Sequence, residues 1–170
     1  EHCNIIGNNL KQIYLCGGLK VVKQILKDDS RVNPSVKDNE VFLWASLSGD
    51  SCLVKELLRD NRVDPTTQYN LAICEASAYG HTGVVRELLK NARVDPSAEN
   101  NYAICEASKN GHLDTVIELL KDPRVDPSAE DNLIIDIASA VGNVRMIQVL
   151  LQDTRVDPTF AILSSSKKAI

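Results

Sequence analysis

A tripeptide that recurs at a fixed interval constrains the fold of this chain more than any other feature. Val-Asp-Pro occupies residues 63–65, 94–96, 125–127 and 156–158, and Val-Asn-Pro occupies residues 32–34, so each step is 31 residues long. A period between about 20 and 50 residues is typical of stacked repeats, in which each unit is too small to bury its own apolar face. The sequence therefore predicts a row of like units with a shared core rather than one closed globule.

The period divides the chain into units of about residues 4–34, 35–65, 66–96, 97–127 and 128–158, within a single domain of residues 1–170. The first unit matches the others only in its second half, as expected for a terminal repeat that faces water. Residues 159–170 resemble the beginning of another unit and form either a cap or a truncated repeat. The chain lacks a start methionine and stops within the pattern, so we expect it to be a fragment of a longer protein.

Within one unit, the pattern predicts two helices. A short first helix follows a repeated Asn, whose side-chain oxygen we expect to cap the first turn. A Gly ends this helix, because a left-handed residue after a helix favours glycine. A second helix then carries apolar residues at i, i+1, i+4 and i+5, as in Val84-Val85 and Leu88-Leu89. Proline stops it and begins an extended loop. The repeated residues are Asn39, Asn70, Asn101 and Asn132, and Gly49, Gly80, Gly111 and Gly142.

These residues resemble the ankyrin repeat family. Gly80-His81 with the two apolar pairs named above carries the closest likeness, and Gly111-His112 with Leu119-Leu120 is next. The resemblance implies an all-α, ankyrin-type helix-turn-helix solenoid. The variant units also resemble those of ankyrin-rich proteins of giant viruses and amoebae.

Two departures from the family change the expected loops. The family's Thr-Pro-Leu-His signature is absent, so we expect the repeated Asn and Asp to supply the hydrogen bonds that its Thr and His would make. The units are two residues shorter than the family's usual length of about 33. Both missing residues fall in the loop that would form a β-hairpin finger. We therefore expect short fingers and little or no β-strand.

No catalytic, cofactor or metal site is predicted. The Gly residues fall at turns rather than in a phosphate-binding loop, and no nucleophile or paired-carboxylate motif occurs. His81 and His112 follow the turn Gly, where the family resemblance implies a structural histidine. Cys74, Cys105 and Asp136 occupy equivalent positions, but packed helices lie about 8–10 Å apart, too far for a shared zinc ion or a disulfide. We therefore expect that the protein is not an enzyme.

Composition narrows the partners. The net charge is −4 and the isoelectric point is about 5.4, so the chain offers no basic surface for nucleic acid. No run of about 18 apolar residues occurs, so we expect no membrane span. Five cysteines without disulfide-like spacing favour a reducing, intracellular compartment, either cytoplasmic or nuclear. We expect a monomer.

The resemblance implies that the first helices and finger tips line a concave groove that binds another protein. Residues at these positions differ between units while the core positions repeat, which favours a scaffold with a tailored surface. Aromatic side chains there are candidate hot spots. Trp44 is equally compatible with a core position. The predicted partner-binding residues are Trp44, Ser48, Tyr69, Tyr79, Glu99, Asn100, Lys109, Asn110 and Glu130.

Three alternatives stay open at this point. The array is a binding scaffold in its own right, the substrate-recognition arm of a larger assembly such as a ubiquitin ligase, or a structural spacer without a dedicated partner. Glu75 and Glu106, one period apart on the first helix, are either solvated or part of an acidic stripe for a basic partner.

Overall fold

The computed structural model describes residues 10–28 and 32–159, and these residues form nine helices and no β-strand. The predicted all-α fold is confirmed for them. His2, Cys3 and residues 160–170 of the predicted C-terminal piece lie outside the described residues. The helices are α1 (Leu10–Asp28), α2 (Val36–Leu47), α3 (Ser51–Leu57), α4 (Thr67–Ala78), α5 (Thr82–Leu89), α6 (Ala98–Lys109), α7 (Leu113–Leu119), α8 (Ala129–Val141) and α9 (Val144–Leu150).

The helices form two layers. The first helices of the pattern, α2, α4, α6 and α8, each contact the next in one layer. The second helices, α3, α5, α7 and α9, contact one another in the same order, and α1 joins this layer through α3. Each first helix also packs on the second helix that follows it. The outer surface of the first-helix layer therefore faces away from the second helices. None of these helices is both long and apolar enough to cross a bilayer.

The core lies between the two layers and is built from aliphatic side chains at repeated positions. Leu88 and Leu119 are fully buried, which confirms them as core anchors. Leu89 and Leu120, which the pattern also places in the core, are half-buried and pack against it. The Val that precedes each Asp-Pro or Asn-Pro closes the core on the loop side. The buried members of this set are Val32, Val63, Val94, Val125 and Val156.

The Gly after each first helix is left-handed, as predicted, with a φ of +70° at Gly80. A close contact makes the same demand, because a Cβ at Gly80 would lie 2.5 Å from Nδ1 of His112. The imidazole Nε2 of His112 is hydrogen-bonded to the carbonyl oxygen of Ala78 at 3.0 Å. His81 makes the equivalent bond to the Leu47 carbonyl at 2.9 Å. The structural role predicted for both histidines is confirmed, and each ties one helix pair to the pair before it.

The segment that leads into each first helix adopts a conformation that the sequence analysis does not predict. Three consecutive residues are left-handed, with φ between +51° and +63°, in place of a β-hairpin finger. In one such turn, the Asn101 amide donates to the Ser97 carbonyl at 2.9 Å. Left-handed backbone costs an L-residue roughly 1–2 kcal/mol, so the turn needs compensating bonds. The four left-handed turns are residues 37–39, 68–70, 99–101 and 130–132.

The prediction that the repeated Asn caps its own helix is wrong. Asn101 Oδ1 accepts instead from the Asp126 amide, 25 residues later, at 2.8 Å. The cause is the left-handed backbone, which turns the side chain towards the loop that closes the same repeat. Asn39, Asn70 and Asn132 make the same bond at 2.8–3.0 Å.

The Asp of each Asp-Pro pair holds the next turn, as its position before Pro predicts. The Ser97 amide and hydroxyl both donate to Asp95 Oδ1, at 3.0 and 2.6 Å. Equivalent pairs of bonds join Asp64 to Thr66 and Asp126 to Ser128. The expectation that Asn and Asp replace the family's Thr and His hydrogen bonds is therefore confirmed.

Candidate partner-binding surface

The outward side chains of α2, α4, α6 and α8, together with the left-handed turns before them, form the surface that we call the first-helix face. Three of the four tyrosines of the chain are exposed on it. Tyr69 is 79% exposed, Tyr79 59% and Tyr102 47%. The Tyr79 ring stacks on the His81 imidazole, with ring centres 6.1 Å apart and an angle of 18° between the planes. The first-helix face therefore carries aromatic groups, one of which rests on a fixed histidine.

Trp44 lies in the contact between α1 and α2. Its half-buried ring packs against the core and meets the Tyr14 ring edge-on, with centroids 5.9 Å apart. Lys11 Nζ lies 5.0 Å from the centre of the Trp44 ring, a cation–π arrangement. Tyr14 in turn hydrogen-bonds to Asp50, the residue that caps α3 through the Leu53 amide. Most of the Trp44 surface is thus occupied by contacts within the chain.

Three predicted polar residues use their side chains within the structure. The exposed Ser48 donates to the Trp44 carbonyl at 2.7 Å and so finishes the end of α2. Lys109 pairs with Glu106 at 3.0 Å. Asn110 donates to the Ala78 carbonyl of the preceding helix pair at 3.0 Å, beside the His112 bond. These bonds connect neighbouring turns and fix the edge of the first-helix face.

The other three predicted polar residues, Glu99, Asn100 and Glu130, are exposed in the left-handed turns. Their φ values lie between +52° and +55°, so the backbone of the turn presents them in a fixed direction. They share this position with Tyr69, because residues 69, 100 and 131 are one step apart. The tips of the turns therefore form a row that continues across the helix pairs.

Sequence reasoning missed two residues on the first-helix face. Tyr102 and Leu133, one step apart at the start of α6 and α8, are 47% and 41% exposed. The signal was present, because each directly follows the repeated Asn and is equivalent to Glu40 in α2. A position that is charged in one unit and apolar in two others is one that the core does not dictate.

Buried thiols report the charge of this face. Burial first, and then Glu75 and Glu99, raises the pKa of the Cys74 thiol to about 11. Burial, Glu106 and Glu130 act in the same way on Cys105, whose pKa is also raised to about 11. A protonated, buried thiol is a poor nucleophile and a poor metal ligand. Among the described residues, no three His, Cys, Asp or Glu side chains converge as a metal site would require.

Clefts elsewhere on the described surface are open and lined by groups that already have partners. One of about 590 Å³ lies between α1 and α3, where Lys23 binds Glu56 at 3.1 Å. Another of about 380 Å³ contains His112, whose ring is held by a backbone carbonyl, and the Thr82 and Thr115 hydroxyls, which bind each other at 2.8 Å. Neither cleft presents a nucleophile activated by a neighbouring base.

Comparison with known proteins agrees with this architecture. The profile of a family described as ankyrin repeats (3 copies) matches residues 41–131 and, in a second match, residues 73–162. Together the matches extend over far more than half of the chain. A search of curated proteins found no match. Ankyrin repeats generally serve as protein–protein interaction modules, and the family is typically non-catalytic.

Proposed function

The chain belongs to the ankyrin repeat family, and from that premise we propose that it is a non-catalytic scaffold that binds another protein through its first-helix face. The observation that carries the proposal is the exposure of Tyr69, Tyr79 and Tyr102 on a single face. The other aromatic side chains in the described residues pack within the chain. Tyrosine is enriched at binding hot spots because it offers a large, rigid contact area with a polar end.

The predicted residues divide into two groups in this proposal. Tyr69 and Tyr79 contribute contact area to the partner, and Glu99, Asn100 and Glu130 form the polar rim around it. Trp44, Ser48, Lys109 and Asn110 hold the edge of the face through the bonds described above. The array acts as one continuous, monomeric domain of residues 1–170.

The test begins with capture of a partner from native lysate by the full chain, followed by affinity measurements on variants. Replacing both Tyr69 and Tyr79 by Ala is expected to weaken binding by about tenfold or more, while the thermal midpoint stays the same, because both rings are exposed. The matched control is Ile117→Ala, which removes a partly exposed apolar side chain from α7 in the other layer. Equal affinities for the wild-type chain and the double variant would remove the first-helix face as the binding surface.

A further inference from the structure

The first-helix face is acidic. Helices α2, α4, α6 and α8, with the turns that begin them, contain eight acidic side chains and two basic ones. The net charge of the whole chain is only −4, so the negative charge is concentrated on this layer. The acidic residues are Asp38, Glu40, Glu75, Glu99, Glu106, Glu130, Asp131 and Asp136.

Acidic groups are paired differently in the two layers. In the second-helix layer, Glu56, Glu87 and Glu118 each bind a Lys or Arg at 2.6–3.1 Å. On the first-helix face, Glu99 and Glu130 are exposed and make no ion pair within the described part of the chain. The chain therefore neutralises its acidic groups on one side and leaves exposed carboxylates without cations on the side that carries the tyrosines.

The carboxylates border an apolar row. Positions four residues apart lie on the same side of a helix, so the row of Tyr102 and Leu133 runs between the turn tips and the next turn of each helix. Glu99 and Glu130 occupy the turn side of this row. Glu75 and Glu106 occupy the helix side, and their field reaches the same buried thiols as that of the turn glutamates. Negative charge thus lines both sides of an exposed aromatic and aliphatic strip.

On the premise that the first-helix face is the binding face, we propose that its occupant is an extended, arginine-containing segment of a partner protein. Successive helices pack about 8–10 Å apart, and an extended chain advances about 3.3 Å per residue. A peptide that lies across the helices therefore meets one helix pair about every three residues. Arginine at every third position reaches the glutamates on either side of the row and stacks its planar guanidinium on the tyrosine rings. Apolar residues between the arginines contact Tyr102 and Leu133.

Fluorescence anisotropy with three synthetic twelve-residue peptides tests this occupant. The first carries Arg at every third position with Leu and Ser between, the second has the same composition with its arginines together at one end, and the third has Glu in place of Arg. The full chain is expected to bind the first peptide, to bind the second more weakly and to leave the third unbound. Affinity for the first should fall about tenfold when sodium chloride rises from about 0.05 to 0.5 M, because salt screens exposed charges.

Variants of the chain locate the contact. The double change Glu99→Gln and Glu130→Gln should weaken binding of the periodic arginine peptide about tenfold, since each exposed pair is worth up to roughly fivefold. Tyr102→Ala should weaken it as well. Glu87→Gln, which removes the same charge from the second-helix layer, should leave the affinity unchanged. Equal binding of the Arg and Glu peptides, or an unaltered affinity in the glutamine double variant, would overturn the inference.

An unbiased peptide library separates this inference from the proposed function. Selection of peptides rich in Arg that lose binding with Tyr102→Ala supports both. Selection of neutral or acidic peptides whose binding still depends on Tyr69 and Tyr79 overturns the basic occupant and leaves the binding face in place. Selected peptides whose affinity is unaffected by all three tyrosine changes would overturn both.

Discussion

Removal of the Asn101 side chain tests the bond that replaces the family's usual turn contacts. Asn101 is buried, and its Oδ1 accepts from the Asp126 amide at 2.8 Å. Asn101→Ala leaves that amide without a partner, which costs about 1–3 kcal/mol. Alanine at a φ of +61° costs about 1 kcal/mol more, because Asn tolerates the left-handed region better. We therefore expect the free energy of unfolding to fall by about 2–4 kcal/mol.

The neighbouring residue supplies a matched control. Asn100 has a φ of +55° in the same turn, is exposed and makes no hydrogen bond through its side chain in the described structure. Asn100→Ala therefore carries the backbone cost of about 1 kcal/mol without the lost bond. Urea unfolding followed by circular dichroism compares the two variants at equal slopes. Equal losses of stability in both would refute the reasoning, because the Asn–Asp bond would then contribute nothing.

Three further predictions concern the core and pH. Leu119→Ala should lower the free energy of unfolding by about 2–5 kcal/mol by leaving a cavity, whereas Ile117→Ala on the same helix should cost under about 0.5 kcal/mol, and similar costs would contradict the assigned core. Cys74 and Cys105 should resist a thiol reagent at pH 8 in the native state, as mass spectrometry can show. Because their folded pKa is raised from 9 to about 11, their contribution to stability is complete below pH 9 and is lost as the pH rises through 11, so the urea midpoint should fall over that range. The pKa of Asp122 is lowered by the guanidinium two residues later, so its contribution is present above pH 3.8 and is lost as the pH falls through the lowered value; Asp122→Asn should flatten that acid limb of a thermal-unfolding series, and an unchanged limb would speak against the pair.

The parts of the fold that the sequence predicted rest on residues with one strong physical preference. Gly80 is needed where φ is positive, Pro where a helix must stop, and a Leu pair where a helix meets the core. Periodicity multiplies each of these signals, so the order of the helices followed directly. The division into units of 31 residues stays a prediction at its outer ends, where residues lie outside the described part.

The left-handed turns could not be predicted in the same way. Only the third residue of each turn is an Asn, and the first two include Lys37, Tyr69 and Glu130, which have no preference for positive φ. The partner of each Asn lies 25 residues away, so a reading based on local capping chose the nearer amides. On the candidate surface, Trp44 was ambiguous because its contact, Tyr14, lies in a first unit that departs from the repeat.

The Asn–Asp bond also bears on how a chain of this kind changes length. Its donor and acceptor are 25 residues apart, less than one step of 31, so both ends belong to the same segment. Excision of residues 97–127 would remove Asn101 and Asp126 together and join Pro96 to Ser128, with the flanking bonds of Asn70 and Asn132 complete. A cut out of step would strand an amide or a carboxamide. Tandem duplication and loss in whole modules is therefore the route by which the binding strip can be lengthened or shortened without redesign of its seams.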